Sequence, residues 1–141
     1  MTSAVSQITA APSQQALAYF ESLLTFETDC WDVHHALTNN TQDFVLVDVR
    51  ANSLFDAGHI QGAINIPHSR LNHKQLEPYP SDTLFVVYCA GPHCNATEKA
   101  AIRLAKLGRP VKKMIGGVTG WQGEGFTLTS QTHQEHYASG A

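Results

Sequence analysis

A chain of 141 residues fits one domain, long enough for roughly two thirds of its extended surface to be buried on folding. With 43% hydrophobic and 15% charged residues and no apolar run of about eighteen, it reads as a soluble globular protein, which excludes a membrane span and a disordered chain. The net charge of -3 gives no reason to expect nucleic acid; six of the nine basic residues, Lys99, Arg103, Lys106, Arg109, Lys112 and Lys113, read as a solvated helix face and the strand after it.

Residues 1–13 form a small, polar leader with neither the basic start and apolar core of a secretion signal nor the arginines of a presequence, so a cytoplasmic protein is expected. Residues 14–141 are expected to form the domain. Its N-terminal extension, about residues 14–25, carries Leu17, Phe20 and Leu24 at helical spacing and is expected to pack on the domain edge. Asp29 can cap a second helix through about Leu37, which the Asn39-Asn40-Thr41 cluster ends.

The run Phe44 to Val49 is β-branched and unalternated, as a strand covered on both faces should be. Ala63 to Ile66, Leu84 to Tyr88 and Val111 to Ile115 are three further strand candidates. Asn95 to Leu107 is the clearest helix: Asn95 and Glu98 suggest a capping box, Ala101, Leu104, Ala105 and Leu107 can face a sheet, and Gly108 closes it. Strands separated by helices and loops predict an α/β fold with a parallel central sheet. The tail from about residue 130 is polar, with at most a short helix.

The informative stretch is the strand that ends in Cys89, followed by Ala90, Gly91, Pro92, His93, Cys94 and the helix start at Asn95. Ligands bind at strand ends in open α/β sheets, and a loop entering a helix turns unpaired N–H groups inward as an anion cradle. A thiolate there is stabilised by those donors and by the helix dipole, so Cys89 is expected to be nucleophilic at neutral pH. Cys30, Cys89 and Cys94 are an odd number without framework spacing, which points to reduced thiols.

Four ordered motifs between about Thr25 and Phe126 resemble the rhodanese family. Phe44 to Arg50 is similar to its strand ending in Asp-x-Arg, with Asp48 and Arg50. The stretch Gly58-His59-Ile60-Gln61-Gly62-Ala63-Ile64-Asn65-Ile66-Pro67 resembles its Gly-His-Ile-x-Gly-Ala-x-Asn-x-Pro signature. Val87-Tyr88-Cys89 corresponds to the strand entering the active-site loop, and Gly116-Gly117-Val118-Thr119-Gly120-Trp121 to the closing Gly-Gly-x-x-x-Trp. Most of these residues read as fold-builders: Gly58 and Gly62 in turns, His59 bonded within its turn, Trp121 as a core anchor. Asp48 and Arg50 are expected to brace the loop and the helix behind it. The family often places Glu four residues after this arginine; Leu54 stands there, so Arg50 needs another partner.

The resemblance implies helices on both faces of the sheet and a two-step sulfur transfer. The Cys89 thiolate takes the outer sulfur of a donor such as thiosulfate or a persulfide and passes it to a thiol, cyanide or a protein acceptor. The backbone of Ala90 to Asn95 would stabilise the persulfide, and no cofactor or metal is required. Pro92, His93 and Cys94 depart from the commoner loops, and the missing cationic residue favours persulfides over thiosulfate as donors. The alternative is a noncatalytic partner-binding module or a thiol redox sensor. A phosphatase or arsenate reductase loop would be longer and end in arginine, and a metal site from Cys89, His93 and Cys94 lacks a second ligand pair. Cys94 reads as a small apolar residue of the first helical turn, because opposite ends of a cradle can point apart. Its other reading is a resolving thiol that attacks the Cys89 persulfide at its inner sulfur.

Overall fold

The computed structural model describes residues 1–130; the polar tail expected beyond Ser130, with its short helix, lies outside the described residues. The leader contains a one-turn helix, α1 (Ala4–Gln7), capped by Ser3. Then come α2 (Ser13–Phe26), β1 (Glu27–Thr28), α3 (Cys30–Thr38), β2 (Val45–Asp48), α4 (Asn52–Ala57) and β3 (Ile64–Asn65). A 3-10 turn at His68–Arg70 leads to α5 (His73–Leu76), β4 (Phe85–Tyr88), α6 (Ala96–Lys106), β5 (Val111–Met114) and α7 (Gly117–Gly123). The five strands form one parallel sheet in the order β1-β5-β4-β2-β3.

The apolar runs at residues 44–49 and 84–88 become the two central strands, paired Val45 to Phe85 through Asp48 to Tyr88. Because side chains alternate across a strand, β2 and β4 supply both cores at once. Val47, Val49, Phe85, Val87 and Cys89 pack with Ala96, Ala100 and Leu104 of α6. Leu46, Val86 and Tyr88 pack on the opposite face with Cys30 and Val33 of α3, Ile60, and Val118 and Trp121 of α7. Helices therefore cover both faces. Trp121 is buried and its indole N–H donates to the Thr127 carbonyl (3.0 Å). His59 is buried too, 2.8 Å from the Phe55 carbonyl through Nδ1 and stacked on that ring.

Three expectations are corrected. The stripe Leu17, Phe20, Leu24 of α2 does not pack: these residues are 61%, 61% and 70% exposed, and Ala16 and Leu23 are half-buried instead. In α6 the buried row is Ala96, Thr97, Ala100 and Leu104, while Ala101 is half-buried and Ala105 and Leu107 are exposed. Alanines at 96 and 100 let the helix lie close on β4, which rotates the face one step from the expected one. Asn95 makes no side-chain cap; Glu98 accepts instead from Lys113 Nζ (2.8 Å) and Thr97 Oγ1 (3.1 Å). The edge strand β1 is short and polar, so nothing in the sequence marked it.

The basic cluster divides by neighbourhood. Arg109 is structural: its guanidinium donates to the carbonyls of Leu76 (3.0 Å), Tyr79 (3.1 Å) and Pro80 (2.6 Å) and lies over the Phe85 ring. Lys113 is shared between Glu98 (2.8 Å) and Glu27 (3.5 Å). Lys99, Arg103 and Lys106 are exposed on α6.

Asp48 and Arg50 form a buried pair. The guanidinium donates from Nη2 to Oδ2 (2.7 Å) and from Nε to Oδ1 (3.0 Å), and the Arg50 N–H closes on Oδ1 (3.0 Å). The partner that replaces the absent glutamate is the Gly58 carbonyl, 2.6 Å from Nη2, at the end of α4. Tyr88 borders the cluster: its hydroxyl accepts from the Ile60 N–H (3.1 Å), while burial first, and then the Asp48 charge, push the phenol well above its ordinary range. This corrects the expected role. Among the described residues the pair makes no hydrogen bond to residues 90–95; it fixes the α4 end, on the sheet face away from the Cys89 side chain. Replacing Arg50 with Leu leaves a buried carboxylate unpaired, so urea unfolding should show a loss of about 3–5 kcal/mol.

Candidate active site at Cys89

Cys89 stands directly after β4 with its side chain turned to the α6 face, 3% exposed. Its position is fixed from behind. The N-terminus of α7 lies against the loop: the Val118 N–H donates to the Cys89 carbonyl (3.0 Å) and the Thr119 N–H to the Ala90 carbonyl (2.9 Å). Gly117 has φ +58°, and a Cβ there would stand 2.5 Å from the Cys89 oxygen and 2.8 Å from the Gly91 nitrogen. No side chain fits, and the conformation itself favours glycine. At Gly91 the nearest atoms a Cβ would meet belong to side chains, Thr119 Oγ1 foremost at 2.5 Å, so a side chain there would have to displace that hydroxyl. The Gly-Gly-x-x-x-Trp motif thus seats the cysteine loop and sinks Trp121 in the core beneath it.

The loop turns tightly, with the Cys94 N–H donating to the Gly91 carbonyl (3.0 Å). This narrows the expected cradle, because Pro92 has no N–H and that of Cys94 is engaged. Among the described residues, the backbone N–H groups of Ala90, Gly91, His93 and Asn95 meet no acceptor, and the first turn of α6 follows without a side-chain cap. Of these four residues, Gly91 also lines the cavity beside Cys89.

The sulfurs of Cys89 and Cys94 are joined in a disulfide, with Cα atoms 6.5 Å apart. Cys94 therefore faces Cys89, and the expectation that it only packs in the first turn of the helix does not describe this state. The loop between them brings its two ends within the span of bridged cysteines.

A cavity of about 510 Å³ opens over this pair at the C-terminal ends of β4 and β5. Of the loop, Gly91, Pro92 and Cys94 line it with Cys89; Ala90 is half-buried against the core, and the exposed His93 and Asn95 are outside the lining. Asp48 and Arg50 are not part of the wall. The remaining wall contains residues that sequence reasoning did not connect with Cys89: Cys30, Asp29, Trp31, Glu98, Lys113 and Glu124. Alternation along β5 offered one signal, since Lys112 and Lys113 must point to opposite faces. Three carboxylates face one ammonium, which is itself shared between Glu98 and Glu27.

Cys30, at the start of α3, brings a third thiol to the cavity. It is 5% exposed and its Sγ–H lies 3.5 Å from the Ile115 carbonyl and 3.7 Å from that of Gly117. Burial, then the charges of Asp29 and Glu124, push this thiol up to about 11, so it stays protonated through the physiological range. Its role is to fill space against α7, where Gly116 and Gly120 leave room for the sulfur.

The model of the rhodanese-like domain matches residues 32–124. A 39% identical stretch of 87 residues, 61% of this chain and 38% of the relative, is shared with the HTH-type transcriptional regulator Rv0324 of Mycobacterium tuberculosis. The adenylyltransferase and sulfurtransferase UBA4 of Yarrowia lipolytica is 36% identical over 78 residues, 55% of this chain and 19% of the relative. Both relatives are much longer than the stretch they share. The crystal structure of the BH2092 protein from Bacillus halodurans superimposes with a TM-score of 0.82 at 30% identity, covering 86% of this chain and 88% of that one. The chain belongs to the rhodanese-like domain family.

Proposed function

We propose that the protein is a sulfurtransferase that carries sulfane sulfur as a persulfide on Cys89. The observation that carries the reading is the placement of that cysteine: at the end of a central strand, its own carbonyl held by the start of α7, in the wall of an open cavity that it shares with Gly91, whose N–H meets no acceptor among the described residues. In the reduced protein the Cys89 thiolate attacks the outer sulfur of a donor R–S–SH. The Cys89–sulfur bond forms as the donor's S–S bond breaks, and R–S⁻ departs with the electron pair. An acceptor thiolate then takes the outer sulfur and returns Cys89 as thiolate. The sulfurtransferase relative supports this reading of the family membership.

The donor class follows from charge. Thiosulfate is a dianion and would enter past Asp29, Glu98 and Glu124 with only the shared Lys113 to offset them. The loop offers dipoles but no cation. An organic persulfide brings less negative charge and an apolar body, which suits the exposed Trp31 and Ile115 in the cavity wall. We therefore assign persulfides, carried by a small thiol or a protein, as donors in preference to thiosulfate.

The direct test incubates reduced protein with a small alkyl persulfide and measures cyanide-labile sulfur and intact mass. Wild type should gain a sulfur and Cys89→Ser should stay at background; uptake by Cys89→Ser equal to wild type would overturn the reading. The donor assignment is tested by charge removal. Asp29→Asn keeps a good cap for α3, and Glu124→Gln is conservative at an exposed site. Together they should speed loading from thiosulfate several-fold at low salt, with a smaller gain at high ionic strength and little change with the persulfide. An unchanged thiosulfate rate would remove charge as the basis of donor choice.

A further inference from the structure

We infer that Cys94 is a resolving thiol that converts the Cys89 persulfide into free sulfide and a Cys89–Cys94 disulfide, so that the site releases sulfide on its own and is then closed until reduced. This rests on the Cys89 persulfide proposed above and goes beyond transfer to an external acceptor. The disulfide itself is the principal observation: the two sulfurs meet in this fold, both cysteines line the same cavity, and their Cα atoms are 6.5 Å apart.

The local chain explains why they meet. The Cys94 N–H on the Gly91 carbonyl closes a turn around Pro92, and α7 holds the carbonyls of Cys89 and Ala90 at the other end. One end of the loop is thus tied to α7, and the other is folded back on Gly91. Cys94 is half-buried against the same core cluster as Cys89, so its sulfur has little freedom to leave. A thiol held this way competes with external acceptors through proximity, without an entropy cost of encounter.

The chemistry balances with the groups present. Cys94 gives up its proton and its thiolate attacks Sγ of Cys89. The Cys94–Cys89 sulfur bond forms, the bond from Cys89 Sγ to the outer sulfur breaks, and the outer sulfur leaves with the electron pair as hydrosulfide, balanced by the proton from Cys94. In this step the outer sulfur is reduced to sulfide and Cys94 is oxidised; over the whole cycle the two cysteine thiols supply the two electrons that reduce the donor's sulfane sulfur. A dithiol reductant, or two monothiols, then restores Cys89 and Cys94 and becomes a disulfide itself. While the disulfide stands, Cys89 can neither accept sulfur nor be overoxidised. Cys30 does not fill the resolving role: its Sγ–H faces the carbonyls of Ile115 and Gly117.

The experiment uses the full chain, reduced and handled without oxygen, in wild type, Cys94→Ser, Cys94→Ala and Cys30→Ala forms. Each receives stoichiometric cysteine persulfide, and free sulfide, intact mass and peptide crosslinks are followed. Wild type and Cys30→Ala should gain one sulfur transiently, release it as sulfide and finish with a Cys89–Cys94 crosslink. Both Cys94 variants should gain the same sulfur and release sulfide at least about tenfold more slowly, their loading showing that the site is intact. If wild type keeps its added sulfur, or the Cys94 variants release sulfide as fast, the resolving role falls while the sulfur-transfer reading stands. Added sulfur that moves to Cys94, or a crosslink to Cys30, also overturns it. If neither wild type nor the Cys94 variants gain sulfur or release sulfide, both proposals fall.

Discussion

The backbone of Gly117 lies so close to residues 89–91 that the width of one methyl group separates this architecture from another. A Cβ at that position would stand 2.5 Å from the Cys89 oxygen, while the next two N–H groups bond the carbonyls of Cys89 and Ala90. The strand end that carries the cysteine is thereby clamped between the helix after it and the helix two elements on. The turn of the loop, the meeting of Cys89 with Cys94 and the opening of the cavity all follow from where that strand end is held. Trp121 and Val118, buried on the same helix, anchor the clamp in the core. The motif is structural in composition and acts on the site through main-chain contact alone.

The two sheet faces divide the work. On one face, the buried pair of Asp48 and Arg50 is tied to the Gly58 carbonyl, beside the Tyr88 hydroxyl that the Ile60 N–H holds. Buried charges are costly unless every partner is present, and here the carboxylate and guanidinium satisfy one another, with the Gly58 carbonyl taking a further N–H. Tyr88, the last residue of β4, is held by the Ile60 N–H and by pairing with Asp48, which sets where the next residue emerges. On the other face Cys89 meets the small residues of α6, and Ala96 and Ala100 let that helix start beside the loop. Tyr88 and Cys89, adjacent in the chain, thus turn to opposite faces of the sheet.

Much of this was legible in the sequence. Unalternated β-branched runs located the central strands, and a cysteine at a strand end before a helix located the site, because both signals are local. What sequence could not settle depends on three-dimensional approach. Asn95 and Glu98 have cap-like spacing, but Lys113 comes close enough to draw Glu98 away. The stripe of α2 shows an apolar face without saying whether the domain covers it, and it does not. The direction of Cys94 depends on the handedness of a six-residue loop, and the spacing alone permits it to point either way. Cys30 is far from Cys89 in sequence and reaches the cavity through the pairing of β1 with β5, an edge contact with no apolar signature.

The clamp at Gly117 is the claim on which the rest depends, and Gly117→Ala tests it most directly. Amide hydrogen exchange of the variant, with sulfur loading from a small persulfide measured in parallel, reads loop position and chemistry together. The account expects Val118 and Thr119 to lose protection and loading to fall at least about tenfold, while the central strands keep theirs. A Gly117→Ala protein with protected Val118 and Thr119 amides and wild-type loading would contradict it.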